Sequence, residues 1–202
     1  MPVWHYHLVD GSHLMKKSAN TVSCIILAGG EGKRVGGVDK GLLEYREKPL
    51  IEHVIEKVSP QVDDIVISAN RNTERYQHYS QKVISDESER YLGPLAGINA
   101  ALTHCQHDRV LIVACDTPFL PSDIIYRFLS SQTDANLHIA STNKQLQLVM
   151  LIHKNLHDSI AQSLHEGQLR LMHWAISQKP EIVEFENGSA FKNFNYNDDF
   201  DS

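Results

Sequence analysis

From Cys24 onward, short runs of β-branched residues alternate with stretches whose apolar positions recur every three or four residues. That alternation is the signature of βαβ units built around a largely parallel sheet. Residues 24–28 read as a first strand, which passes directly into a glycine-rich segment. In Leu50–Val58, Leu50, Val54 and Val58 stand four apart with Ile51 and Ile55 beside them, which predicts a helix opened by Pro49. Residues 64–69 and the shorter 82–85 predict two further strands, and Gly93-Pro94 opens a helix reaching about Cys105. Arg109–Ala114 has the apolar character of a central strand covered on both faces, and it runs straight into Cys115-Asp116-Thr117-Pro118. A helix follows Pro121-Ser122-Asp123, then strands over 137–141 and 146–152, the second pairing back. Helices over 156–165 and 169–177 come next, and strands over 181–185 and 190–194 close the domain. The predicted fold is α/β, with a mostly parallel sheet and helices on both faces.

Composition narrows the choice of function. A chain of 202 residues with 42% hydrophobic content holds one domain whose core needs no disulfide or metal staple. Lys plus Arg number 19 against 25 Asp plus Glu, a formal charge of -6, which argues against nucleic acid as the main partner. A small anion is still admitted, because a pocket needs only local basic groups and helix-end amides. The best apolar run, residues 110–120, is interrupted by Asp116 and is far short of a membrane span, so no membrane partner is expected. Three cysteines without CxxC spacing suit a reducing compartment, and a cytoplasmic location is expected. Twelve histidines include His104 and His107 around Cys105, and His153 with His157, but no cluster supplies four converging ligands. Residues 1–20 carry no secretory pattern and read as a disordered N-terminal extension, with 1–14 lying upstream of Met15. The domain is expected over 21–196, with 197–202 a polar tail.

The segment after the first strand, residues 27–40, carries five glycines and three basic residues. Glycines let backbone N–H groups approach phosphates where a Cβ would collide, and Lys33, Arg34 and Lys40 supply countercharge. The dinucleotide pattern fails at Val35, and the Walker pattern meets Val38 where lysine belongs. A flexible surface turn and a phosphate clamp both remain open on the glycines alone. Asp116, leaving a hydrophobic strand, either braces the turn at Thr117-Pro118 or holds a hard cation together with substrate phosphates. Ser68 to Arg71 and Asp86 end two further strands, and ligand crevices in open α/β sheets lie outside such carboxyl ends. A carboxylate there can accept paired hydrogen bonds from an amino-imino base edge like that of guanine, or simply form a turn.

The motifs LAGGxxxRxGGxDKGL over residues 27–42, KPLIEHV over 48–54, SANR over 68–71, YLGPLAGI over 91–98 and CDTPF over 115–119 resemble the molybdenum cofactor guanylyltransferase family. The resemblance extends from about Val22 to Asn195. It implies a Rossmann-like nucleotidyltransferase fold and transfer of GMP from GTP to molybdopterin, with release of pyrophosphate. Carried over by position, Leu27, Ala28, Gly29 and Gly30 line the GTP site, Lys40 meets the phosphates, Ser68 and Asp86 the nucleoside, and Asp116 both GTP and Mg²⁺, with Mn²⁺ as the alternative ion. Arg34 matches the loop arginine and joins Lys40 and Asp116 as catalytic. Gly93, Pro94, Arg170, Asn193 and Asn195 fall on the molybdopterin side. Ser68 stands where relatives often carry asparagine, and Leu169-Arg170 where they carry a basic pair. A GTP-binding adaptor and molybdenum insertion proteins are the partners that the resemblance suggests.

In nucleotidyl transfer an ionised acceptor phosphate attacks the α-phosphorus in line, so the protein has to position and neutralise rather than supply a nucleophile. Two other readings stay open: a cytidylyltransferase acting on the same pterin or on another small phosphate, and a nucleotide-binding module without turnover.

Overall fold

A computed structural model of the chain describes residues 22–29, 39–86, 92–131 and 133–194. Its centre is a seven-stranded sheet containing β1 (Val22–Leu27), β4 (Asp64–Ser68), β5 (Val83–Ile84), β6 (Arg109–Ala114), β7 (Leu137–Thr142), β8 (Gln145–His153) and β9 (Glu181–Glu184). The spatial order is β5-β4-β1-β6-β8-β7-β9. β5, β4, β1 and β6 pair in parallel, β8 runs against both of its neighbours, and β7 pairs with β9 in parallel. A separate hairpin of β2 (Glu44–Tyr45) and β3 (Lys48–Pro49) precedes α1 (Leu50–Val58). The other helices are α2 (Thr73–Tyr76), α3 (Pro94–Leu102), α4 (Ile124–Leu129), α5 (His157–His165) and α6 (Leu171–Ser177).

Alternation along the strands divides the core into two layers. Cys24, Ile26, Leu111 and Val113 pack with α1 and α4 on one face. Ile25, Val110, Ile112 and Met150 pack with α3, α5 and α6 on the other. The expected mostly parallel sheet with helices on both faces is therefore present. Among the described residues no helix is long and apolar enough to cross a membrane.

Leu50–Val58 and Arg109–Ala114 form with the expected bounds. The helix opened by Pro94 stops at Leu102, and the one expected from residue 169 starts at Leu171. The closing pair of strands is half wrong: β9 forms, but residues 188–191 make a 3-10 turn instead of a strand. The cause is Asn187, whose side chain accepts from the N–H and hydroxyl of Ser189 and bends the chain, so that Ala190 and Phe191 turn into the core. Phe191 meets Phe185 there, ring centroids 5.0 Å apart.

The order of connections fixes where a ligand can lie. From β1 the chain moves outward through β4 to β5, then returns to the opposite side of β1 to form β6. The direction of winding reverses between β1 and β6, and the crevice of an open α/β sheet opens at that reversal, outside the carboxyl ends of the strands. The opposite edge is tied by Asp64, which accepts from the Ser23 hydroxyl, Lys82 Nζ and the Gln106 N–H.

Candidate active site

β1 and β6 are in parallel register, Leu27 opposite Ala114, and the Cys115 N–H donates to the Leu27 carbonyl at 3.0 Å. Two residues beyond this level the strands release Gly29 and Asp116, so both leave side by side at the reversal point. Ala28 is held on the other side, where its N–H donates to the Ser68 carbonyl at 2.8 Å. Gly30 and Arg34 lie outside the described residues, as does Asn195.

The chain next delivers Lys40 in a 3-10 turn, Lys40–Leu42. Lys40 Nζ donates to Asp116 Oδ2 at 3.0 Å across 76 positions of sequence. The Asp116 side chain is 10% exposed and that of Lys40 35%, so a cation and a carboxylate meet at a partly screened crevice wall. Gly41 makes this approach sterically feasible: a Cβ there would fall 2.5 Å from the Tyr76 hydroxyl and 3.1 Å from Cys115 Sγ. The turn is also tied to the following elements, since the Leu50 N–H donates to the Leu43 carbonyl.

Asp39, immediately before Lys40, is buried, and both of its carboxylate oxygens are used. The Tyr76 hydroxyl donates to Oδ1 at 2.5 Å and Asn72 Nδ2 to Oδ2 at 2.9 Å. Sequence reading did not find this pair, because Tyr76 lies 37 positions from Asp39 on a one-turn helix with no periodic pattern. The DKGL motif over residues 39–42 marks the aspartate but carries no sign of its partner.

Ser68 and Asp86, both expected on the nucleoside side, are placed differently from one another. Ser68 is buried at the end of β4 with its hydroxyl turned toward α3, where a Cβ on Gly97 would come within 2.4 Å of it. Asp86 follows β5 and is clamped by Asn70: Asn70 Nδ2 donates to Asp86 Oδ1 at 2.9 Å, while Asn70 Oδ1 accepts from the Asp86 N–H at 3.1 Å. Asp86 and Asp116 end strands three positions apart in the sheet. At about 4.8 Å per strand spacing they are separated by roughly 14 Å, which suits an extended ligand lying across the strand ends.

The residues expected to hold a second ligand fall into two groups. Gly93 takes a positive φ of 79° at the start of α3, and a Cβ there would face the Leu169 carbonyl at 3.7 Å, so Gly93 and Pro94 adjoin the segment that bears Arg170. Asn193 precedes Phe194, whose N–H donates to the Asp116 carbonyl at 2.7 Å. Together with Thr117, Leu148 and Phe191, Asn193 lines an open depression of about 380 Å³. The aromatic ring of Tyr45 spans this region, 4.8 Å from Phe194 and 5.9 Å from Phe119.

The cysteines supply no nucleophile. All three are buried, and burial pushes the Cys115 thiol up, with Asp116 and Asp39 adding to the shift. Burial likewise raises Cys24 and takes Cys105 to about 12. Among the described residues no group of three or more His, Cys, Asp or Glu could hold a metal. The described residues of the site offer the Asp116 carboxylate and the Lys40 ammonium, a pair able to meet phosphates and a hard cation.

Comparison with known proteins bears on family and fold. Residues 24–180 match the MobA-like NTP transferase domain model. A molybdenum cofactor guanylyltransferase from Shewanella pealeana is 42% identical over 88% of this chain and 90% of its own length. The protein of the same name from Shewanella halifaxensis is also 42% identical, over 86% and 89%. Among solved structures, molybdopterin-guanine dinucleotide biosynthesis protein A from Archaeoglobus fulgidus superposes with a TM-score of 0.66 at 22% identity, covering 86% of this chain and 92% of that one.

Proposed function

The chain belongs to the molybdenum cofactor guanylyltransferase family, and from that premise we propose that it transfers GMP from GTP to molybdopterin, releasing pyrophosphate and forming the guanine dinucleotide cofactor. The observation that carries this reading is the junction of Lys40 with Asp116 at the reversal point of the sheet. One domain over residues 21–196 performs the reaction, in keeping with the matched segment 24–180.

GTP lies across the carboxyl ends of the strands. Its guanine faces Asp86, whose carboxylate is oriented by Asn70. Its phosphates lie against Leu27, Ala28, Gly29 and Gly30, with Lys40 and Arg34 offsetting their charge. Ser68 shapes the nucleoside wall from beneath, its hydroxyl being turned to α3. Molybdopterin enters from the side of Gly93, Pro94, Arg170, Asn193 and Asn195. Its terminal phosphate attacks the α-phosphorus in line, and pyrophosphate leaves. Since that phosphate is already ionised, no strong general base is needed. Catalysis is the alignment of two phosphates together with stabilisation of charge on the departing pyrophosphate.

Among the described residues Asp116 belongs to no group of three or more possible metal ligands, and a lone carboxylate fits Mg²⁺, which is held by one or two carboxylates and completed by substrate phosphates and water. Asp116 would hold the Mg²⁺, or Mn²⁺ in its place, and the ion would supply Lewis-acid neutralisation of the reacting phosphates. Lys40 Nζ donates to Asp116 Oδ2 and so orients this carboxylate.

The test is molybdopterin-dependent pyrophosphate release with GTP, CTP and ATP in turn. Release with GTP alone is expected. Equal release with CTP would replace the reading by a cytidylyltransferase, and nucleotide binding without release would replace it by a non-catalytic module.

A further inference from the structure

The turn carrying Lys40 has few attachments of its own. Its internal bonds are Leu42 N–H to the Asp39 carbonyl and Leu43 N–H to the Lys40 carbonyl, each at 3.1 Å. From outside it is tied at its far end by the Leu50 N–H on the Leu43 carbonyl, and at Asp39 from α2, in the connection between β4 and β5. There Tyr76 is fully buried and its hydroxyl donates to Asp39. Asn72, in the left-handed conformation at φ 52°, donates to the second carboxylate oxygen. A carboxylate with both oxygens bonded by neighbouring donors cannot swing, and Lys40 is the next residue along the chain.

We propose that Tyr76 is a positioning residue for the transfer reaction: through Asp39 it holds the Lys40 turn at the distance from Asp116 that the phosphates require. Burial first, and then Cys115 and the bond to Asp39, drive the Tyr76 hydroxyl far above the ordinary phenol range, so it remains a donor at every working pH. Gly41 completes the latch, because only a residue without a Cβ fits between the Tyr76 hydroxyl and Cys115. The donor that sets Lys40 thus belongs to a different segment from the one bearing the glycine-rich motif. The inference rests on the phosphate role of Lys40 proposed above.

The experiment is a double-mutant cycle in the full chain, assayed with GTP, Mg²⁺ and molybdopterin. Tyr76→Phe removes one oxygen and is expected to lower kcat about tenfold, the rate equivalent of a hydrogen bond to a charged group, with KM for molybdopterin unchanged. Lys40→Ala is expected to lose roughly 10² to 10³. The decisive outcome is the double variant, which should match Lys40→Ala within about twofold, because a positioning hydroxyl has nothing left to position. A further tenfold loss in the double variant, or unaltered kcat in Tyr76→Phe, would overturn the latch alone. Near-wild-type turnover by Lys40→Ala would sink the phosphate role and the latch together. Should Tyr76→Phe not fold, Asn72→Gly removes the other arm without backbone strain at its positive φ, and the same cycle applies with a smaller loss expected.

Discussion

The N–H of Phe194 donates to the carbonyl of Asp116 at 2.7 Å, fastening the last described segment onto the loop that follows β6. Asn193 is held beside Asp116 by this bond, and the Phe194 ring is in turn gripped by Tyr45, 4.8 Å away. Tyr45 belongs to the β2–β3 hairpin, which directly follows the Lys40 turn. The hairpin therefore bridges the Lys40 turn and the segment bearing Asn193 and Phe194.

Tyr45→Ala should act on the acceptor more than on the nucleotide. The substitution removes ring contacts to Phe119, Phe194 and His53, each worth about 0.5–1.5 kcal/mol in similar pairs. KM for molybdopterin is expected to rise by about tenfold, the equivalent of one such contact. KM for GTP should stay within about twofold, and steady-state kinetics with each substrate varied in turn would decide the point.

Asp116→Ala is expected to abolish turnover while leaving the thermal midpoint nearly unchanged. Its partner Lys40 is one-third exposed and can rehydrate when the pair is broken, so the stability cost stays within about 1 kcal/mol. Activity at near-normal rates in Mg²⁺ would remove Asp116 from the reaction.

Gly97→Ala should destabilise the protein by about 1–3 kcal/mol through overpacking of α3 on β4. The new Cβ would lie 2.4 Å from the Ser68 hydroxyl but 3.5 Å from its Cβ, an ordinary contact. Adding Ser68→Ala is therefore expected to restore most of the loss. Urea unfolding of the two single variants and the double variant would reveal the coupling.

Two groups should shape acid sensitivity in different windows. Burial first, then Arg109, lowers His138 below its ordinary 6.5. The unfolded chain then binds the proton more readily, so this contribution to stability is complete above 6.5 and is lost as pH falls from 6.5 through the lower folded value. For Asp64, burial opposes charge, but Lys82, the Gln106 N–H and Ser23 outweigh it and hold the carboxyl below 3.8. Its contribution persists to lower pH and is lost only from about 3.8 downward, through its folded value. His138→Gln should flatten the stability profile just below 6.5, and Asp64→Asn the profile below 3.8, as read from unfolding midpoints along a pH series.

Periodicity carried far where one face of an element is buried. Leu50–Val58 and Arg109–Ala114 were legible because their apolar positions answer to two packed layers. The β2–β3 hairpin was not, since its turn places Arg46 and Glu47 at positive φ with no Asn-Gly or glycine to announce it. Residues 190–194 look like a strand by composition, yet Phe191 and Phe194 are buried as anchors of an irregular segment. In the site, Asp86 and Asp116 stood out as carboxylates ending strands, and Lys40 as a basic residue of the glycine-rich segment. Asp39 with Tyr76, and Asn70 with Asp86, are contacts between separate segments, and spacing along one chain has no means of recording them.

The reversal of β8 has an evolutionary corollary. Because this strand runs against β6 and β7, the bend joining β7 to β8, with Asn143 and Lys144 in left-handed geometry, comes to the same rim as the carboxyl ends of the parallel strands. A bend tolerates insertions that would disrupt a crossover. Selection could thus lengthen or recompose this lip while the ends of the parallel strands stay as they are.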